Sequence, residues 1–146
     1  MDQVAVCSPK DKEDLFNQLK ENKMENIFYL NGGTDLVIKL RNKDVNSGLL
    51  INLSNLNKEM NYIEEEDGVI KIGSAVTFAR IENSPLIKDN WHSLIEASSQ
   101  VGSVQIRNRG TLSGNLANAS PAGDIIPTLM SLKAKAVTRT IDGKIH

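Results

Sequence analysis

The chain has 146 residues and a mass of 16.0 kDa, room for one ordinary domain or two small subdomains sharing a core. Apolar side chains make up 40% of it, roughly 47% with the ten glycines, a globular composition that excludes a wholly disordered chain. Seventeen basic residues against 18 acidic ones leave a net charge of −1, so no bulk field recruits nucleic acid or anionic lipid.

Val4-Ala5-Val6 has the character of a short strand, and Ser8-Pro9 after it suits a helix entry. Leu15, Phe16 and Leu19 fall on one face of a helix reaching about Asn22. Ile27-Phe28-Tyr29-Leu30 is a strand-length apolar run that Asn31-Gly32-Gly33 stops. Thr34 and Asp35 suit a second helix start, with Leu36, Val37 and Leu40 as its buried side, and Leu49 to Leu53 reads as the next strand. The order strand–helix–strand–helix–strand predicts a small parallel sheet with right-handed crossovers. Near residue 55 the rhythm changes, which divides the chain into residues 1–55 and 56–146. Asp67-Gly68 is a hairpin turn between residues 61–65 and 69–72. Thr77 is an N-cap for a helix carrying Phe78 and Ile81, Pro85 interrupts or restarts it, and another helix runs through Trp91, Leu94, Ile95 and Ala97. Residues 102–124, rich in glycine, asparagine and hydroxyl side chains, read as a long functional loop. A helix near Pro127 reaching Leu132 and a strand from Ala134 to Thr140 complete the chain.

Two glycine tracts are the candidate sites. In the first, a strand delivers the chain to Gly32-Gly33 and a helix follows, so free amides face one point that suits a diphosphate. The competing reading is a tight strand–helix turn capped by Thr34 or Asp35. It is neither GxGxxG nor GxxxxGK[ST]. The second tract, Gly110-Thr111-Leu112-Ser113-Gly114-Asn115, offers small residues, hydroxyls and free amides to wrap phosphate, with Asp124 downstream as an acceptor for a ribose hydroxyl. Its competing reading is a buried loop packed tightly by small residues. Arg107 and Arg109 have no interleaved aromatics, so structural ion pairs are their expected role rather than RNA contact. Cys7 is the one cysteine, and only His92 and His146 are available as imidazoles, so neither a disulfide, a zinc site nor an iron–sulfur cluster is expected. Cys7 and His92 are expected to pack or lie at the surface. With no leader pattern and no apolar run of about 20 residues, the expected location is cytoplasmic, without a membrane span.

Together the tracts resemble a known family. Asn31-Gly32-Gly33-Thr34-Asp35-Leu36, Ile72-Gly73-Ser74-Ala75-Val76-Thr77, the run from Val101 to Leu116, and Ala119-Ser120-Pro121-Ala122-Gly123-Asp124 to Pro127 are similar to the FAD-binding (medium) subunit of the molybdenum hydroxylases, the xanthine dehydrogenase and carbon monoxide dehydrogenase family. The resemblance implies an α+β fold, with a small βαβ N-terminal subdomain, a second α+β subdomain and a further C-terminal domain behind them. It implies that Leu30, Asn31, Gly32, Gly33, Thr34, Asp35, Leu36 and Val37 wrap the FAD diphosphate. It further implies that Thr111, Ser113, Gly114 and Asn115 approach the phosphates and flavin from the other side, that Asp124 contacts the adenosine part, and that Val101 lines the flavin pocket.

By the same resemblance the partners are a molybdenum–pterin large subunit and a small subunit with two-iron two-sulfur clusters, electrons passing from the clusters through FAD to NAD or another acceptor. No catalytic acid, base or nucleophile is nominated on this chain. One departure is Ser113, which stands where the family usually has glycine and either supplies a phosphate hydrogen bond or narrows the approach. The other is length, about half the family subunit. The expected consequences are an incomplete C-terminal region, weak or no flavin binding, and dimerisation or aggregation through a strand at residues 134–140 left without its hairpin partner or with only a stub. A flavin-free interaction or structural module of the same fold is the rival reading. An unrelated nucleotide-binding enzyme is disfavoured because no phosphate-transfer lysine or metal-binding carboxylate pair accompanies the glycines.

Overall fold

The computed structural model describes residues 4–120, 123 and 125–146. Three parallel strands, β1 (Val4–Cys7), β2 (Ile27–Leu30) and β3 (Gly48–Asn52), form a sheet in the order β1-β3-β2. The connections are α1 (Lys12–Glu21) and α2 (Leu36–Arg41). With right-handed crossovers this order sets the two helices on opposite faces of the sheet. Asp11 caps α1 by accepting from the Asp14 amide at 2.8 Å. Leu15, Phe16 and Leu19 then pack with Cys7, Ile27, Leu49, Ile51, Leu53, Leu56 and Met60 into a first core cluster, in which Ile51 and Leu56 are fully buried.

The second helix departs from expectation. No residue of α2 is buried: Leu36 and Leu40 are half-buried and Val37 is exposed. A six-residue helix offers one short face, and here that face leaves much of its apolar surface uncovered.

After a 3-10 turn (Ser54–Leu56) and α3 (Asn57–Met60), β4 (Ile63–Glu66) and β5 (Val69–Ile72) form an antiparallel hairpin. Its turn residues Asp67 and Gly68 both have positive φ, 51° and 74°, as a two-residue primed turn requires. The helices α4 (Phe78–Glu82), α5 (Pro85–Asn90), α6 (His92–Ser99) and α9 (Ile125–Ser131) surround a second cluster of Val76, Phe78, Ile81, Ile87, Leu94, Leu112 and Ile125. Thr77 caps α4, and Pro85 occupies the first turn of α5.

Two further expectations are corrected. Residues 102–124 are not one long loop: α7 (Val104–Arg107) and α8 (Leu112–Asn118) occupy much of the tract, each N-capped by a hydroxyl, Ser103 and Thr111. Residues 134–140 form no strand. They join neither sheet; Thr138 and Thr140 pair with His146 and Lys144 across the Gly143 turn as a short hairpin stub, the Ala134 amide donates to the Leu129 carbonyl, and Arg139 lies over the Phe16 ring. Val137 and Ile145 are left exposed there. Among the described residues, no helix is long and apolar enough to cross a membrane.

Cys7 packs against the first cluster, and burial, then the nearby Asp14 charge, raises its thiol pKa. The thiolate is therefore scarce at neutral pH, and Cys7 is expected to react with iodoacetamide more slowly than glutathione does, as alkylation rates followed by mass spectrometry would report.

Candidate functional site

The loop between β2 and α2 takes its shape from two glycines with different constraints. Gly33 has φ +76°, a left-handed conformation that L side chains adopt only under strain. Gly32 is needed for space instead: a Cβ there would lie 2.2 Å from the Arg109 carbonyl oxygen and 3.0 Å from Gly110 Cα. The first glycine tract therefore lies directly against the start of the second, across the boundary between the two core clusters.

Within this loop the amides of Gly32, Gly33, Thr34, Asp35 and Leu36 find no acceptor among the described residues. Asp35 caps no amide, and its carboxylate instead accepts from the Thr34 hydroxyl at 3.3 Å. The capped-turn reading of the sequence is thus not realised. A run of acceptor-free donors, four of the five on half-buried residues, is costly unless an anion or water meets it, and consecutive amides in such a turn make a concave anion site.

The second tract is more self-sufficient than its composition suggested. The Gly110 amide donates to the Ile106 carbonyl, Leu112 to Val76, Gly114 to Thr111 Oγ1 and Asn115 to the Thr111 carbonyl, so most of these amides are already satisfied. Thr111 is buried, pairs with Thr77 across an antiparallel bridge and caps α8. Ser113 Oγ donates to the Ser74 carbonyl at 2.5 Å, and Asn31 Nδ2 donates to the same oxygen at 2.7 Å. Asn115 Oδ1 is shielded from solvent and has no hydrogen-bond partner among the described residues. Lys39 of α2 donates to Asn118 Oδ1 of α8 at 2.9 Å, a further link between the tracts.

Val101 packs half-buried against the second cluster, and Asp124 lies outside the described residues. Arg107 does form a structural ion pair, with Glu82 at 2.8 Å, and also donates to the carbonyls of Val101 and Gly102. Arg109 is exposed and makes no ion pair among the described residues; its contribution is the carbonyl against Gly32. His92 is exposed at the start of α6. Among the described residues no three His, Cys, Asp or Glu side chains converge as a metal site. Sequence reasoning singled out neither Gly73 nor Ser74 as holding the tracts together. The glycine before a hydroxyl residue at the end of β5 was the available signal.

A diphosphate fits the donor set of the first loop: five amides in sequence, a left-handed glycine that turns them, and a second tract behind. Comparison with known proteins points the same way. Residues 2–146 match the model of the FAD binding domain in molybdopterin dehydrogenase. The chain is 39% identical over 143 residues to the nicotinate dehydrogenase FAD-subunit of Eubacterium barkeri, covering 98% of this chain and 48% of that protein. It is 31% identical over 118 residues to the xanthine dehydrogenase FAD-binding subunit of Escherichia coli O157:H7, covering 80% and 40%. A chain of the cyanide-inactivated Cu,Mo-CO dehydrogenase superposes with a TM-score of 0.86 at 26% identity, over 98% of this chain and 50% of that one. The chain thus spans about half the length of these relatives. It belongs to the family of FAD-binding domains of molybdopterin dehydrogenases.

Proposed function

We propose that this chain binds FAD as part of the electron-transfer subunit of a molybdenum hydroxylase. The observation that carries the reading is the run of acceptor-free amides from Gly32 to Leu36, set against the second glycine tract. FAD, when bound, supplies the redox chemistry, and the protein supplies position and electrostatics. Within the loop from Leu30 to Val37, the amides of Gly32 to Leu36 donate to the diphosphate and so offset the charge of the phosphate oxygens. From the opposite side, Thr111 and Gly114 fix the start of α8, which carries Asn115 toward the ligand. Val101 lines the flavin pocket and Asp124 contacts the adenosine part. No residue of this chain is assigned a proton-transfer role.

The rest of the reading follows the family. Electrons arrive from two-iron two-sulfur clusters on a small subunit, originate at a molybdenum–pterin large subunit and leave to NAD or another acceptor. Residues 1–55 and 56–146 act as two subdomains with the flavin at their junction; two separate core clusters support a division there, with Leu56 and Met60 still packed into the first of them. The exposed Val137 and Ile145 support docking of a partner subunit, or of a second copy, at the C-terminal end. Within the cell the expected location is the cytoplasm.

Titration with FAD, followed by quenching of flavin fluorescence, is the test. Saturable binding is expected, weaker than that of the Escherichia coli O157:H7 relative, because the chain spans only part of such subunits. Absence of any FAD binding would favour the flavin-free module instead.

A further inference from the structure

The turn between β5 and α4 has almost no slack. The Gly73 amide donates to the Tyr62 carbonyl and the Ala75 amide to the Met60 carbonyl, each at 2.9 Å, and the Val76 amide closes the turn on Gly73 at 3.1 Å. A Cβ on Gly73 would come within 2.1 Å of the Met60 oxygen, so the turn is seated directly on the chain between α3 and β4. Ser74 stands at its apex. Its carbonyl oxygen accepts one donor from each glycine tract, Asn31 Nδ2 at 2.7 Å and Ser113 Oγ at 2.5 Å, which fills both lone pairs. A serine hydroxyl has a single hydrogen. That of Ser113 is committed to Ser74, so it has none to donate to a phosphate oxygen, which can only accept.

We propose that Ser113 is a positioning residue, a latch that fastens α8 to the Ser74 turn and through it to Asn31. With the latch closed, Asn31 meets a carbonyl held in place from the other side, and the amides of residues 32–36 keep a fixed position relative to the Thr111–Asn115 segment. Gly32 against Arg109 supplies steric contact between the tracts, and the Ser74 carbonyl supplies the polar contact. Without the Ser113 hydroxyl, the turn loses one of its two side-chain ties and the loop loosens before any ligand arrives. The consequence for flavin affinity rests on the FAD-binding reading; the consequence for the free protein does not.

The test compares Ser113→Ala and Ser113→Thr with the parent chain by two measurements. One is amide hydrogen exchange in the free protein at Val37, which donates to the Gly33 carbonyl, and at Leu112, which donates to the Val76 carbonyl. The other is FAD titration. Ser113→Ala is expected to speed exchange at both amides and to weaken FAD binding about 2- to 12-fold, the value of one hydrogen bond. Ser113→Thr, which keeps the hydroxyl, is expected to restore both. Weaker FAD binding with unchanged exchange would make Ser113 a direct ligand contact and overturn the latch. Unchanged exchange with unchanged or tighter binding would overturn it as well, the latter marking the side chain as an obstruction. If the parent chain binds no FAD, the flavin reading fails, while the exchange comparison still decides the latch.

Discussion

Replacing Gly32 by valine is expected to abolish measurable FAD binding while the far-UV circular dichroism stays close to that of the parent. The reason is space rather than backbone conformation. The first carbon of any side chain at residue 32 falls 2.2 Å from the Arg109 carbonyl oxygen, and that obstacle is backbone, which cannot rotate away. Relieving such an overlap costs on the order of 1–3 kcal/mol, and the easy relief is to lift the loop off the second tract. The amides of residues 32–36 then lose their fixed orientation, and the ordering cost falls on ligand binding. Gly33 makes the contrast. Its φ of +76° is strained for any side chain but less so for asparagine than for other L residues, and its nearest obstacle is the flexible tip of the Leu30 side chain at 2.9 Å. Gly33→Asn is therefore expected to bind FAD more tightly than Gly32→Asn. Flavin fluorescence titrations of the three variants check this. Undiminished affinity in Gly32→Val would remove the loop from the site.

Much of the fold was legible because its signals are local. The apolar run ending in Asn31-Gly32-Gly33, the Asp67-Gly68 turn, the Thr77 cap and Pro85 in a first turn each state their structure within a few residues. The helices α7 and α8 were missed although Ser103 and Thr111 are sound N-caps. They are short and rich in small or polar residues, so periodicity had little apolar pattern to detect. The strand expected at residues 134–140 failed for the opposite reason: composition suits a strand, but a strand needs a partner along its length, and only Thr138 to Thr140 meets one, in Lys144 to His146. At the candidate site, the presence of two glycine tracts was readable and their contact was not. The approach of Gly32 to Arg109, and the sharing of one Ser74 carbonyl by Asn31 and Ser113, join residues far apart in the chain. The serine at residue 113 stands out as a departure from the family pattern, yet its partner is a backbone atom that no sequence pattern marks.

Phe78→Ala is expected to cost about 3–5 kcal/mol, the usual range for emptying a buried phenylalanine site. The ring is 1% exposed within the second cluster, and it packs under Gly110, where an added Cβ would be 3.5 Å from ring carbons. Its backbone amide donates to the Gly110 carbonyl at 3.1 Å, so the residue supports the second glycine tract through both side chain and main chain. The cavity left by alanine lies within the cluster of Val76, Ile81, Ile87, Leu94, Leu112 and Ile125, and none of these belongs to the cluster around Ile51. Damage should therefore be asymmetric. Trp91, the one tryptophan, packs on the second cluster and reports its unfolding by fluorescence. In the variant its transition is expected at markedly lower urea, and FAD binding is expected to be lost with it. The Ile51 amide, in the central strand of the parallel sheet, is expected to keep most of its protection from hydrogen exchange. Equal loss of protection at Ile51 would mean that the two clusters unfold as one cooperative unit, and the division into two subdomains would fall. Retained protection beside a melted second cluster would establish residues 1–55 as a separately stable platform, with the amide-bearing loop at its edge and affinity for the cofactor arising only when the second cluster closes behind it.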